Sequence, residues 1–136
     1  MTRPTAAPPP WHRAALAKFY QLQSEAAGLR GSMIGADDRL ATIRADRRAA
    51  ESRLQKLREA LYHLPVMPGR QADADRTQER IAESEHELDR LAMLEGEATE
   101  ARDHIAAAIG AMTPLLNAAG AMMVRLRLVT REEAGQ

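Results

Sequence analysis

Residues 12–64, HRAALAKFYQLQSEAAGLRGSMIGADDRLATIRADRRAAESRLQKLREALYHL, decide the fold. Stepping alternately by three and four from His12 gives Ala15, Phe19, Leu22, Ala26, Leu29, Met33, Ala36, Leu40, Ile43, Arg47, Ala50, Leu54, Leu57, Leu61 and Leu64. Only His12 and Arg47 are polar in that series. A three-then-four step keeps side chains on one face of an α-helix. Its repetition every seven residues is the pattern of a left-handed helix–helix seam.

Working outward, the same stretch carries Gly28, Gly31 and Gly35. With His12 at heptad position a, these fall at c, f and c, off the seam. Each glycine inside a helix costs about 1 kcal/mol relative to alanine. The unbroken phase of the seam argues for one helix over 11–65. The alternative is a break at 31–36, with Asp37 capping a second helix through its short carboxylate. Unbroken, the helix would run ~80 Å at 1.5 Å per residue.

Upstream, residues 1–10 hold Pro4, Pro8, Pro9 and Pro10. Proline lacks a backbone donor and favours extended chain, so this segment reads as a Pro-rich arm. Downstream, Pro65, Pro68 and Gly69 end the helix, and residues 66–72 read as the turn of an αα-hairpin. A second long helix is expected over 73–112, capped by Asp73 or Asp75 and acidic in its first turns, as the helix dipole prefers. Its apolar series, Ile81, Leu88, Leu91, Leu94, Ala98, Ala101, Ile105, Ala108 and Met112, contains consecutive steps of three, a stammer. The alternative keeps strict phase and places Glu95 and Arg102 in the seam. Folding the chain back about residue 71 then sets Arg47 opposite Glu95, a polar pair that would fix register.

Residues 104–124 contain no Asp, Glu, Lys or Arg. That length reaches a membrane span, but the run is Ala-rich and is interrupted by His104, Thr113, Pro114 and Asn117. Thr113 followed by Pro114 has the form of an N-cap with proline at N1, so a new element is expected over 113–130. Leu115, Ala119, Met122, Leu126 and Val129 make one helical face. The alternation of Val124, Leu126 and Leu128 with Arg125 and Arg127 is the strand alternative. Residues 131–136 read as a tail.

Composition agrees with long helices. The 136 residues include one Trp, two Tyr and one Phe, so the chain must bury Leu, Ile, Met and Ala. There is no cysteine, which removes disulfides, thiolate catalysis and Cys-based metal sites. Net charge is zero but segregated. Residues 1–70 carry 12 basic and 6 acidic side chains, residues 71–136 carry 7 and 13. Such halves complement each other within a chain or between chains. The expected fold class is therefore all-α: a long antiparallel helical hairpin, coiled-coil-like, with an extended N-terminal arm and a short C-terminal helix.

Motifs for chemistry are sparse. Glu83 and His86 have the Glu-x-x-His spacing of helical di-metal sites, and Glu100 and His104 lie one turn apart. The first helix offers no matching pair, so no metal or cofactor is expected, and no catalytic residue. His63 reads as a surface histidine. The glycines do not follow a strand and form no phosphate-binding loop. The chain is thus expected to be a non-enzymatic structural or assembly protein, partnered by copies of itself or by other structural proteins, in an oligomer or a larger particle such as a phage virion. With no secretory signal in its first residues, the expected location is cytoplasmic, or within a particle assembled there. Association is expected to rest on Phe19, Leu22, Leu29, Met33, Leu40, Ile43, Leu54, Leu57, Leu61, Leu64, Ile81, Leu88, Leu91, Ile105 and Met112. Two alternatives draw on other features. The Arg39–Arg58 face (Arg39, Arg44, Arg48, Arg53, Lys56, Arg58) could contact nucleic-acid phosphates, and residues 104–124 could act on a membrane.

Overall fold

The computed structural model describes residues 9–64 and 69–136. The chain is all-helical, with two long helices that pack together and no strand among the described residues. Helix α1 spans Pro10–Tyr62 and α2 spans Gln71–Arg125. The arm expected over 1–10 lies outside the described residues up to position 8, and so do residues 65–68 of the expected turn.

Helix α1 begins where proline is tolerated. Pro10 occupies the first turn, where its missing N–H costs nothing, and the Pro9 carbonyl accepts from the His12 N–H at 2.9 Å. The helix then passes through Gly28, Gly31 and Gly35 without interruption, so the break at 31–36 does not occur. The glycine cost falls on positions that face away from the packed stripe, while Leu29 and Met33 beside them stay half-buried. Helix α2 starts two residues earlier than its expected caps. The Arg70 carbonyl accepts from the Ala74 N–H at 3.1 Å, and Asp73 lies in the first turn, between Arg70 (3.6 Å) and Arg76 (3.7 Å). Asp73 therefore complements the helix dipole rather than capping it.

The largest departure is at residues 113–130. No new helix starts at Thr113, because α2 continues through Pro114 to Arg125. The Thr113 hydroxyl donates back to the Ile109 carbonyl at 2.8 Å, a bond made inside a helix rather than at its cap. Pro114 cannot donate to the carbonyl of Gly110, a cost of up to about 3 kcal/mol. Half-buried Met112, Leu116 and Ala119 and buried Met123 flank it on the packed side, and their burial offsets that loss.

The alternating stretch after Val124 is not a strand either. The Arg127 N–H donates to the Val124 carbonyl and the Leu128 N–H to the Met123 carbonyl, both at 2.9 Å, with Arg127 at φ 55°. This is a Schellman ending in which arginine holds the left-handed position usually given to glycine. It reverses the chain. Thr130 and Glu133 then form a capping box. The Glu133 N–H donates to the Thr130 hydroxyl at 3.1 Å, and that hydroxyl donates to the Glu133 carboxylate at 3.0 Å. One helical turn follows and closes at Gly135, φ 73°, with the Gln136 N–H on the Arg131 carbonyl at 2.9 Å. The supposed tail is an ordered cap.

Contacts divide the chain into two units, Gly35–Arg102 and a second formed by Met1–Ile34 with Asp103–Gln136. Each has its own small core. In the first, Leu40, Ile43 and Ala98 cluster, with Leu94 against them. In the second, Phe19, Met123, Val129 and Ala134 cluster, with Leu16, Leu116 and Leu128 among the half-buried residues around them. Fully burying one such large side chain contributes roughly 1.5–3 kcal/mol.

Candidate helix-association site

Every residue of the α1 series from His12 to Leu64 is buried or half-buried. Phe19, Ala26, Leu40, Ile43, Ala50 and Leu54 are fully buried, and Leu22, Leu29, Met33, Leu57, Leu61 and Leu64 are half-buried. Only Leu16 and Gln23 are comparably covered without belonging to it. Their neighbours explain both: Leu16 packs against the Phe19 cluster, and the Gln23 amide donates to the Glu133 carbonyl at 2.9 Å.

On α2 one unbroken series of covered residues keeps strict heptad phase: Ala74, Thr77, Ile81, Ser84, Leu88, Leu91, Glu95, Ala98, Arg102, Ile105, Ile109, Met112, Leu116, Ala119, Met123, with Leu91, Ala98 and Met123 fully buried and Asp73, Glu87, Leu94, Thr99, Gly120 and Val124 covered beside it. The stammer does not occur. Ala101 and Ala108, which it would have turned inward, are exposed, while Leu94 stays half-buried beside the strict series. Glu95 and Arg102 therefore occupy seam positions.

Both are held by charge from α1. The Arg47 guanidinium donates to one Glu95 oxygen at 2.7 Å, and Arg44 donates to the other at 3.3 Å. Arg47 also donates to Glu51, one turn on, at 3.2 Å. Arg102 donates to Asp37, and Arg58 to Glu85 at 3.0 Å. As the residue number rises along α1, that of the α2 partner falls. The Glu95 side chain is only 20% exposed, whereas Arg47 is 42% exposed, its stem along the seam and its head toward water. Hydrogen bonding from Arg47 holds the Glu95 carboxyl below the usual carboxylate range, with partial burial working against it and Arg44 adding to it. The same hydrogen bond to Glu95 raises the Arg47 guanidinium further. Sequence spacing brought Arg47 and Glu95 together. The shares of Arg44, Glu51 and Asp37 were not anticipated, although Arg44 and Glu51 lie on the turns flanking Arg47 where such a signal is readable.

Among the described residues, the unit containing residues 103–136 has no such pair across its helices. A cavity of about 50 Å³ lies among Ala26, Leu29, Ile109, Met112 and Leu116. Residues 126–136 cover one flank. The Gln136 amide donates to the Asn117 carbonyl at 2.9 Å, and Ala134 approaches Gly120 so closely that a Cβ there would sit 3.3 Å from it. Elsewhere large apolar side chains meet solvent: Trp11 at 53% exposure, Ile34 at 64%, Leu115 at 62% and Met122 at 59%. The stretch is also oily enough that α2 is the one helix among the described residues long and apolar enough to cross a membrane; its mean hydropathy reaches 1.5 over 18 residues.

The other candidate groups are dispersed. Among the described residues no set of three or more His, Asp or Glu side chains is arranged to hold a metal ion, and His63 and His86 are exposed. On the basic face of α1, Arg44 and Arg58 are already engaged by Glu95 and Glu85. Comparison with known protein families, with curated proteins and with solved structures finds no match.

Proposed function

We propose that the chain is a non-enzymatic structural protein that works by helix association: an antiparallel, coiled-coil-like hairpin that assembles with copies of itself, or within a larger particle such as a virion. One observation carries this reading. The chain leaves 10455 Å² of surface open to solvent, against roughly 7,000 Å² for a typical folded monomer of its mass. Two helices bury little core, and the uncovered surface includes Trp11, Leu115 and Met122 rather than charge alone. An open surface of that extent that carries large apolar side chains is what an assembly interface uses. The polar seam around Arg47 and Glu95 fits the same reading, since a buried-edge ion pair sets helix register at some cost in stability.

Light scattering over a concentration series tests it. The expected result is a mass of at least twice 15.0 kDa that falls on dilution. A constant monomer mass up to roughly 100 μM, far above typical assembly constants, would remove the reading.

A second reading draws on the hydropathy of α2: a membrane-active helix at 104–124, whose most apolar 18-residue window has 6% of its residues buried. Against it stand His104, Thr113 and Asn117 within the run, and the engagement of its other face with α1. Flotation with phosphatidylcholine vesicles separates the two. The nucleic-acid reading of Arg39–Arg58 loses ground to the ion pairs made by Arg44 and Arg58, and salt-sensitive retention on DNA would be its signature.

A further inference from the structure

After Asp103, α2 carries the three-and-four step twice. Ile105, Ile109, Met112, Leu116, Ala119 and Met123 face the protein and are buried or half-buried. One residue earlier at each step stand His104, Ala108, Ala111, Leu115, Ala118 and Met122, and all six are exposed. A shift of one residue turns the face by about 100°. The helix therefore bears two stripes roughly at right angles. A helix in an isolated pair needs one such stripe. A helix at the corner of a four-helix bundle touches two neighbours and needs both.

Three further observations say what lies on the second stripe. The opposite flank of α2 is covered by the chain itself, through Ala134 over Gly120 and Gln136 on Asn117. Among the described residues none covers the exposed stripe in this way, and Leu115 and Met122 are 62% and 59% open. The segment also has no formal charge, so this face can meet a copy of itself about a two-fold axis without burying an unpaired ion. Finally, the chain leaves 10455 Å² open to solvent where a compact monomer of its mass leaves roughly 7,000 Å², so it has surface to give to the ~800 Å² that each partner contributes to a stable interface. From these we infer that the stripe from His104 to Met122 is the docking face for the same stripe of a second copy, the short alanines at 108, 111 and 118 letting the two helices approach closely. The inference rests on the association reading above and specifies its surface.

The test compares Leu115→Glu combined with Met122→Glu against Ile34→Glu, a charge placed on an equally exposed apolar residue of α1. Sedimentation and circular dichroism are read together. The expected result is wild-type dimer, unchanged dimer for Ile34→Glu, and a dissociation constant raised at least about 100-fold for the double variant, with its helicity kept. Oligomer of undiminished strength in the double variant overturns the face and leaves the association reading standing. Monomeric wild type overturns both, as does wild type that floats as a monomer with phosphatidylcholine vesicles. Should the double variant unfold, cysteine trapping replaces it. The chain has no cysteine, so Ala111→Cys, Leu115→Cys or Ala118→Cys should give a disulfide-linked dimer on oxidation while Ser24→Cys does not. No cross-link at any of the three positions rejects the face.

Discussion

The two units solve helix packing in different ways. Gly35–Arg102 uses Leu40, Ile43, Leu54 and Leu91 in its seam and ties it with ion pairs from Arg44, Arg47 and Arg58. The unit holding residues 103–136 has a second helix without formal charge from 104 to 124, a seam of Leu, Ile, Met and Ala, and one large anchor, Phe19, at 1% exposure. The contrast teaches that the heptad pattern fixes which face packs but not what holds it. Where charge stands at the edge of the seam, ion pairs tie the two helices. Where the second helix carries none, closure falls to a single aromatic and to a capped C-terminal turn folded over one flank.

The largest expected effect separates the two solutions. Phe19→Ala removes the only fully buried aromatic, against which Met123, Val129 and Ala134 pack. It should cost about 3–5 kcal/mol in denaturant unfolding. Leu40→Ala sits in a cluster with other aliphatics to share the loss, and should cost nearer 2–3 kcal/mol. Equal costs would mean that the two cores are anchored alike and would break the contrast.

The expected charge effect belongs to one unit only. Glu95 has its carboxyl pulled below the ordinary glutamate value of about 4.3 by Arg47. A depressed folded value stabilises at pH above the unfolded value and is lost as pH falls through the folded one. Glu95→Gln should therefore lower the thermal midpoint at pH 7, and the difference from wild type should shrink as pH drops below about 4. Arg47 has its value raised and stays charged throughout that window, so the carboxylate governs the profile. A pH-independent difference would assign the loss to packing instead of the ion pair.

How much of this was legible follows from the same contrast. The α1 stripe was readable because only two of its sixteen positions are polar, and nothing else on that helix competes with it. The α2 phase was ambiguous because its second half offers two apolar stripes one residue apart. Ala101 and Ala108 belong to the outer one, and sequence alone cannot say which stripe faces inward. The consecutive steps of three at Leu88, Leu91 and Leu94 suggested a stammer, while strict phase required a carboxylate, Glu95, in the seam, for which the sequence already offered Arg47 and the fold adds Arg44. At the C-terminus the helical reading from Leu115 holds as far as Arg125, and the strand alternative fails for a local reason. Val124, Leu126 and Leu128 alternate over five residues, too few to outweigh a helix ending, and the Thr130-x-x-Glu133 box that marks the next turn was legible but unused.

The smallest expected effect probes the covered flank. Gly110 and Gly120 are both inside α2, and either replaced by alanine gains helix propensity of up to about 1 kcal/mol. A Cβ at Gly110 meets nothing within 4 Å, so Gly110→Ala should keep the whole gain. A Cβ at Gly120 meets the Ala134 Cβ and carbonyl and the Gln136 amide nitrogen, each at 3.3 Å. The capped turn must then move by a few tenths of an ångström, and Gly120→Ala should gain little or lose slightly. Deleting residues 130–136 removes that obstacle, so in the shortened chain the two substitutions should raise the midpoint alike. If Gly120→Ala already matches Gly110→Ala in the full chain, the turn does not press on α2. The closure of this unit would then rest on Phe19 alone.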